Sequence, residues 1–559
     1  MKKKALRLVA LCLAACLLLT GCSTFDFGGY FRNLYQLFGG RTLTSFADME
    51  YTRPDMDEFD RLLEECCQQA KTQQQISPLE QAILSFYDAY DDFYTGYALA
   101  MIHYTKDMTD PYWQAEYRFC TENTAKVDAG LDRLYRALAK SPLRETLETD
   151  AYFGADFFDE YEGETIYDEV FTQLLQQEAQ LQNEYYRISG LAAGAEYYSE
   201  EYFATYGTQL AELFVQLIRV RQQQAKHAGY DSYPAFAYAY HHARDYSVEQ
   251  ATAYMADVRA QLVPLYRQVM SADDTLSGGL QASTTAQTVS YVSQAAANMG
   301  GIVAEAFRDM EKYGLYDIAP GEHKFDASYE IFLRNYQTPY VFVNPNGTIY
   351  DHLSFAHEFG HFCNDYASSG SGAGVDVAEF FSQGMEYLSL FYAPDAQAER
   401  RLRLITCLST YVEQTAYASF EHQVYSLEGD ALTVENVQAL YESVGTAYGF
   451  DSWDWDSRDY VCITHFFTSP LYVISYVVSN DASFQLYQLE QDKAGAGLAC
   501  FENNLRTQQA YILAFLEEAG LQSPFAPGRL EQVKQTLTAA LFTNKNPAAN
   551  LATGFLYAA

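Results

Sequence analysis

Pro339-Tyr340-Val341-Phe342-Val343-Asn344-Pro345-Asn346-Gly347-Thr348-Ile349-Tyr350 leads into Asp351-His352-Leu353-Ser354-Phe355-Ala356-His357-Glu358-Phe359-Gly360-His361. The first part is β-branched and aromatic, then turn-forming. Tyr340 to Val343 reads as a strand, Asn344 to Gly347 as a turn, and Thr348-Ile349-Tyr350 as a returning strand. A helical pattern resumes at about 352. On that helix His357 and His361, four residues apart, share a face. Two imidazoles so placed can grip one Zn²⁺ at about 2.0–2.1 Å each. Glu358 lies one residue along. Its carboxylate can reach a water activated by the metal without being a ligand, and so serve as general base toward a carbonyl.

Catalytic zinc needs a third protein ligand and an open position. The candidate is Glu379, in the apolar, helix-patterned segment Val377-Ala378-Glu379-Phe380-Phe381-Ser382-Gln383-Gly384-Met385-Glu386. A carboxylate among Phe residues needs a partner, and a second helix packed on the first would supply it. Glu386 is two turns on along the same face, suited to fixing a ligand imidazole from behind. The cofactor expected is one Zn²⁺ per chain, with Mn²⁺ or Co²⁺ able to substitute in vitro.

These motifs resemble the M3 family of zinc metallopeptidases, in particular the oligoendopeptidase F branch. The resemblance runs from about Gly229 to about Ser479. It takes in Gly229-Tyr230-Asp231-Ser232-Tyr233, the order Pro339 through Asn344, Gly347, Asp351 and the HEFGH, and the Glu379 segment with its Ser-Gln and second Glu. It implies a mainly α body divided by a deep channel, zinc on the channel floor, and cleavage of short unstructured peptides. It also implies a closing element of one His followed by Tyr residues, here His465-Phe466-Phe467 with Tyr472 and Tyr476. An oxyanion forming in a dry site needs such donors, each worth roughly 3–4 kcal/mol. His465 and Tyr472 are the foremost candidates, with Tyr476 beside them. The chain departs from the family at Asn364, where many members carry another His, and at Tyr460 and Thr464. The stretch from His465 to the tyrosines is also one residue longer, so the Tyr assignments can slip.

The strand Tyr340, Val341, Phe342, Val343, Asn344 is a candidate substrate edge, on which an extended peptide would add as a further strand. The alternative is a sheet strand with no ligand. Residues 368–374, rich in Ser and Gly, are either a mobile loop or a plain connector.

At the N-terminus, Lys2, Lys3, Lys4 and Arg7 precede an apolar run at 9–19 and then Leu19-Thr20-Gly21-Cys22. The run is too short to span a bilayer and suits a signal segment. The tetrapeptide resembles a lipobox, which implies cleavage before Cys22 and a lipid on its thiol. The organisation expected is a signal peptide at 1–21, an anchored spacer at 22–44, a helical region at 45–315 and a catalytic region at 316–559. The location expected is outside the cytoplasm, at a membrane. Of the remaining cysteines, seven and widely spaced, zero to two disulfides are expected and no thiolate zinc site.

A chain of 559 residues with 49% hydrophobic content has ample material for a core, in more than one lobe or one large body. Its formal charge of −37 repels nucleic acid and anionic lipid. Ser77-Pro78-Leu79-Glu80 and Ser247-Val248-Glu249-Gln250 read as capping boxes, and Gly229 as a helix stop. Helices extend to near 540, with a break around Trp453 and Trp455. Two other classes fit parts of this pattern: a metallocarboxypeptidase on a similar helical scaffold, and a peptide-binding lipoprotein without catalysis.

Overall fold

The computed structural model describes residues 43–149, 152–192, 195, 198–272, 280–370, 372–450 and 455–542. Cys22, the leader at 1–21 and nearly all of the spacer at 22–44 lie outside the described residues, as does Trp453. Among the described residues no helix is long and apolar enough to cross a membrane. The seven cysteines at 66, 67, 120, 363, 407, 462 and 500 are free thiols.

The structure is mainly helical with one small sheet. It opens with α1 (Met56–Thr72), α2 (Ile76–Lys106) and α3 (Pro111–Ala139). Asp55 and Asp110 cap α1 and α3 by accepting from main-chain N–H groups of each first turn. The capping box read at Ser77 does not form. Because Pro78 is tolerated in a first turn, α2 begins one residue before Ser77, and no side chain caps it. Further helices include α4 (Glu169–Leu191), α5 (Thr208–His227), α6 (Tyr233–Tyr240), α7 (Val248–Gln261), α8 (Thr285–Met299) and α9 (Gly301–Lys312). The Ser247 and Gln250 side chains cap α7 reciprocally, and Gly229, at φ +81°, turns the chain just beyond α5.

Helix α2 is shared between two cores. Leu79, Ile83, Phe86, Tyr87, Tyr90 and Phe93 pack with α1, α3 and residues up to Phe158 in a small core. Its second half, with Leu99, Met101, Ile102 and Tyr104, belongs to a large core that draws on residues from Leu43 to Leu541.

The sheet comprises β1 (Tyr316–Asp317), β2 (Ser328–Leu333) and β3 (Thr338–Val343), in the order β1-β3-β2. β2 and β3 are antiparallel, from Ser328 opposite Val343 to Leu333 opposite Thr338, and β1 runs parallel to β3. The hairpin expected around Asn344 to Gly347 is therefore corrected: β3 pairs with the strand before it, and Thr348-Ile349-Tyr350 is not a returning strand. Thr348 makes one isolated bridge, to Ala282, and Tyr350 opens a helix. The cause is Asp351, whose carboxylate accepts from the N–H groups of Asn346 (2.9 Å), Gly347 (2.8 Å) and Thr348 (3.1 Å). That capture bends the turn into a helix entry.

From there the chain forms α10 (Tyr350–Ser368), α11 (Val375–Tyr392), α12 (Gln397–Ser409), α13 (Thr415–Val424), the short α14 (Thr464–Thr468) and α15 (Val473–Asp492). A π-helical turn, Thr410–Gln414, joins α12 to α13. Residues 369–374 connect α10 to α11. Helices α10 and α11 cross closely at Gly360, where a β-carbon would fall 2.4 Å from the Phe381 carbonyl oxygen and 2.6 Å from Ser382 Cα. Only a glycine lets the two backbones approach so near.

Candidate active site

The Gly360 crossing sets Glu379, on α11, against the two histidines of α10. His357 Nε2 lies 3.5 Å from Glu379 Oε2, and His361 Nε2 lies 3.8 Å from Glu379 Oε1. The potential ligand atoms of these three buried residues all fall within 4.8 Å of one another. Ligand atoms around tetrahedral zinc, at about 2.0–2.1 Å from the ion, stand about 3.3 Å apart. The observed separations are close to that edge length. Neither Nε2 makes a hydrogen bond. The donor set, two imidazoles and one carboxylate, is that of a catalytic zinc site. The residues present fit the ion.

Two of the three, His357 and Glu379, are held from behind. His357 Nδ1 donates to Glu386 Oε1 at 2.8 Å, which leaves the Nε2 lone pair for a metal. Glu386 is in turn paired with Arg403 Nε at 2.9 Å. Glu379 accepts from Ser382 Oγ (2.9 Å) at one oxygen and from the Tyr472 hydroxyl (2.7 Å) at the other. Glu358 is fully buried next to His357, and neither of its oxygens is hydrogen-bonded.

Burial governs the electrostatics. It pushes the Glu358 carboxyl up to about 8 and the Glu379 carboxyl up to about 7, the neighbouring His357 opposing it in both. On His357 burial disfavours charge, but the Glu386 hydrogen bond and the nearby carboxylates outweigh it and lift the imidazole to about 9. His361 has no such partner and is driven well below the usual histidine range. A divalent cation among these atoms would supply the counter-charge that the buried carboxylates lack.

The closing element lies on α14 and α15. His465, Tyr472 and Tyr476 stand with ring centroids 5.5–5.6 Å apart. Tyr476 and His465 Nε2 share a hydrogen bond at 3.1 Å. The Tyr472 hydroxyl, expected together with His465 to meet the oxyanion, donates in this structure to Glu379 Oε1. The substrate-edge reading of Tyr340, Val341, Phe342, Val343 and Asn344 is also corrected. β3 is the central strand and buried throughout, with β2 along one side and β1 beside Val341 and Phe342 on the other, and Asn344 lies just beyond its end; β1 and β2 are the outer strands of this sheet.

Arg403 and Ser382 join the site beyond the residues that the sequence motifs name. Ser382 is one helical turn from Glu379, a spacing that could have flagged it. Arg403 sits in Arg400-Arg401-Leu402-Arg403, which reads as an ordinary charged helix face; its burial, with the guanidinium 3.9 Å above the Tyr387 ring, is a tertiary fact.

Residues 46–165 match the Peptidase M3 N-terminal domain. No curated protein sequence matches the chain. Among solved structures, a protein provisionally designated oligoendopeptidase F is 22% identical, with 89% of this chain and 98% of that one covered at a TM-score of 0.80. PZ peptidase A, solved with an inhibitor, is 20% identical with 89% and 99% covered, also at 0.80. A further protein provisionally designated oligoendopeptidase F, from Bacillus anthracis str. Ames, is 21% identical with 90% and 99% covered, at 0.77. The chain thus shares the fold of these proteins over nearly its whole described length.

Proposed function

We propose that this protein is a zinc-dependent oligoendopeptidase acting on short unstructured peptides. The observation that carries the reading is the convergence of His357, His361 and Glu379 with Glu358 buried beside them. The matched Peptidase M3 N-terminal domain and the shared fold support it. His357, His361 and Glu379 would hold the zinc, which would supply Lewis acidity toward the scissile carbonyl and toward the attacking water. Glu358 takes the proton from that water and hands it to the nitrogen of the leaving amine. The His465–Tyr476 pair donates to the oxyanion, while Tyr472 orients Glu379.

Incubation of the full chain with a mixed peptide library, with and without a chelator, tests this by mass spectrometry of the products. Internal cuts that vanish with the chelator are expected. Glu358→Gln should keep fold and zinc content but lose nearly all hydrolysis. A Glu358→Gln variant as active as wild type would sink the mechanism, and release of single C-terminal residues would favour a metallocarboxypeptidase instead.

The same proposal places the enzyme outside the cytoplasm, tethered through a lipid on Cys22. The support is sequence: the basic start, the apolar run at 9–19 and Leu19-Thr20-Gly21-Cys22. Labelled fatty acid incorporated by the wild type and not by Cys22→Ser is the expected result; equal labelling of both rejects the anchor.

A further inference from the structure

The corner between α14 and α15 is bent at Leu471, which adopts φ +62° although it is not glycine. The left-handed conformation costs an ordinary residue roughly 1–2 kcal/mol. A glycine would adopt it freely, but the Leu471 side chain is buried in the core and contributes packing there. Three buried side chains from other elements grip this corner. Glu421, on α13, accepts the Leu471 N–H at 2.7 Å. Arg244, beyond α6, donates to the Leu471 carbonyl at 2.9 Å and to Ser475 Oγ at 2.7 Å. His242 Nε2 donates to the Pro470 carbonyl at 2.9 Å. Arg244 also lies 3.6 Å from Asp376, in the first turn of α11, so the corner is tied to the helix that carries Glu379.

The residue immediately after the bend is Tyr472, and its hydroxyl holds Glu379 Oε1. The direction of Tyr472 is set by the backbone of Leu471. Were Leu471 to relax to negative φ, the chain would leave the corner in another direction and the phenol would swing off the carboxylate. The other oxygen of Glu379 is held by Ser382 from within α11, so Tyr472 is the contact that ties this carboxylate to α15.

We propose that Glu421 is a positioning residue: by accepting the Leu471 N–H it keeps the bend, and through the bend it aims Tyr472 at Glu379. The inference rests on the zinc-peptidase reading of the site. Glu421 does not touch substrate or metal, and its effect is transmitted through Tyr472 alone. This makes a demanding prediction. Loss of the Glu421 acceptor should weaken zinc binding as loss of the Tyr472 hydroxyl does, and the two losses should not compound.

The test is zinc affinity of the full chain by competition with a chromophoric chelator, with thermal unfolding recorded for each variant. Tyr472→Phe is expected to bind zinc about 10-fold more weakly. Glu421→Met, close in volume but without an acceptor, is expected to show a similar fall. The double variant should be no weaker than Tyr472→Phe, and Glu421→Gln, which retains an acceptor oxygen, should stay within about threefold of wild type. The proposal is overturned if Glu421→Met stays within twofold of wild type, if Tyr472→Phe has no effect, or if the single losses multiply in the double variant. Should Glu421→Met fail to fold, Glu421→Leu, which also removes the acceptor, is held to the same criteria. A wild-type chain that takes up no zinc overturns the reading of the site itself, an outcome distinct from any of these.

Discussion

Gly360→Ala tests the helix crossing on which the candidate site depends. The added carbon would lie 2.4 Å from a carbonyl oxygen and 2.6 Å from an α-carbon. Both atoms are main chain, so no rotamer change clears them. Ordinary contact begins near 3.4 Å, so α10 and α11 must part by about 1 Å. Glu379 is two residues before Phe381, and His361 directly follows Gly360. The present 3.5 and 3.8 Å separations between carboxylate and imidazoles would therefore open to about 4.5 and 4.8 Å, beyond the edge of a zinc tetrahedron. Alanine favours the helix by about 1 kcal/mol over glycine. Overpacking costs about 1–3 kcal/mol, so the clash wins and net stability falls by up to about 2 kcal/mol. Zinc affinity, measured by chelator competition, should fall at least 10-fold, and the melting temperature by a few degrees. Gly384→Ala is the control: its new carbon would meet the end of the Leu486 side chain, which can turn away, so zinc affinity should hold. If Gly360→Ala binds zinc within twofold of wild type and melts no lower, the crossing does not set the site.

Glu386→Ala should weaken zinc binding roughly 10- to 100-fold by freeing the His357 ring, and unchanged affinity would mean that packing alone orients the imidazole. Asp351→Ala leaves three N–H groups of the helix entry without their acceptor and should cost about 2–3 kcal/mol in denaturant unfolding; a loss under about 0.5 kcal/mol would show that the turn stands unaided. Glu413, buried against the Tyr266 hydroxyl, has its carboxyl pushed by burial up to about 7. Between about pH 4.5 and 7 the folded chain keeps a proton that the unfolded chain has released, so stability falls as pH rises, by up to about 1.4 kcal/mol per unit. That contribution is complete below pH 4.5 and gone above pH 7, and Glu413→Gln lacks it. The melting temperature of wild type relative to Glu413→Gln should therefore drop between pH 5 and 7.5, whereas parallel profiles would contradict the burial argument.

Much of the metal constellation was legible because it is written in helical spacing. His357 and His361 are one turn apart, and Glu379 and Glu386 are two turns apart on an apolar segment, so each pair names its own face. What spacing cannot give is the partner across space. The β3 segment looked like the first arm of a hairpin because Thr348 and Ile349 are good strand residues. The decisive contact, Asp351 on three N–H groups, is a helix-entry signal that the β propensity of its neighbours masked. The tyrosines were harder still. With 48 of them in the chain, residue type alone distinguishes none, and the division of labour between Tyr472 and Tyr476 turns on which way a strained corner points. Arg403 carried no signal because burial of a guanidinium beneath α11 is visible only once both helices are in place.

Helix α2 serves two cores, its first half in the small one and its second half in the large one. The hydroxyl of Thr105, near its end, meets the Tyr329 hydroxyl of β2 at 2.6 Å. Heating should accordingly melt both cores in one calorimetric event, since neither can lose this rod and survive. A fragment severed at residue 165 would carry half of α2 stripped of its apolar counterpart and would clump. The stretch that matches the Peptidase M3 N-terminal domain, residues 46–165, is thus shorter than the unit that folds.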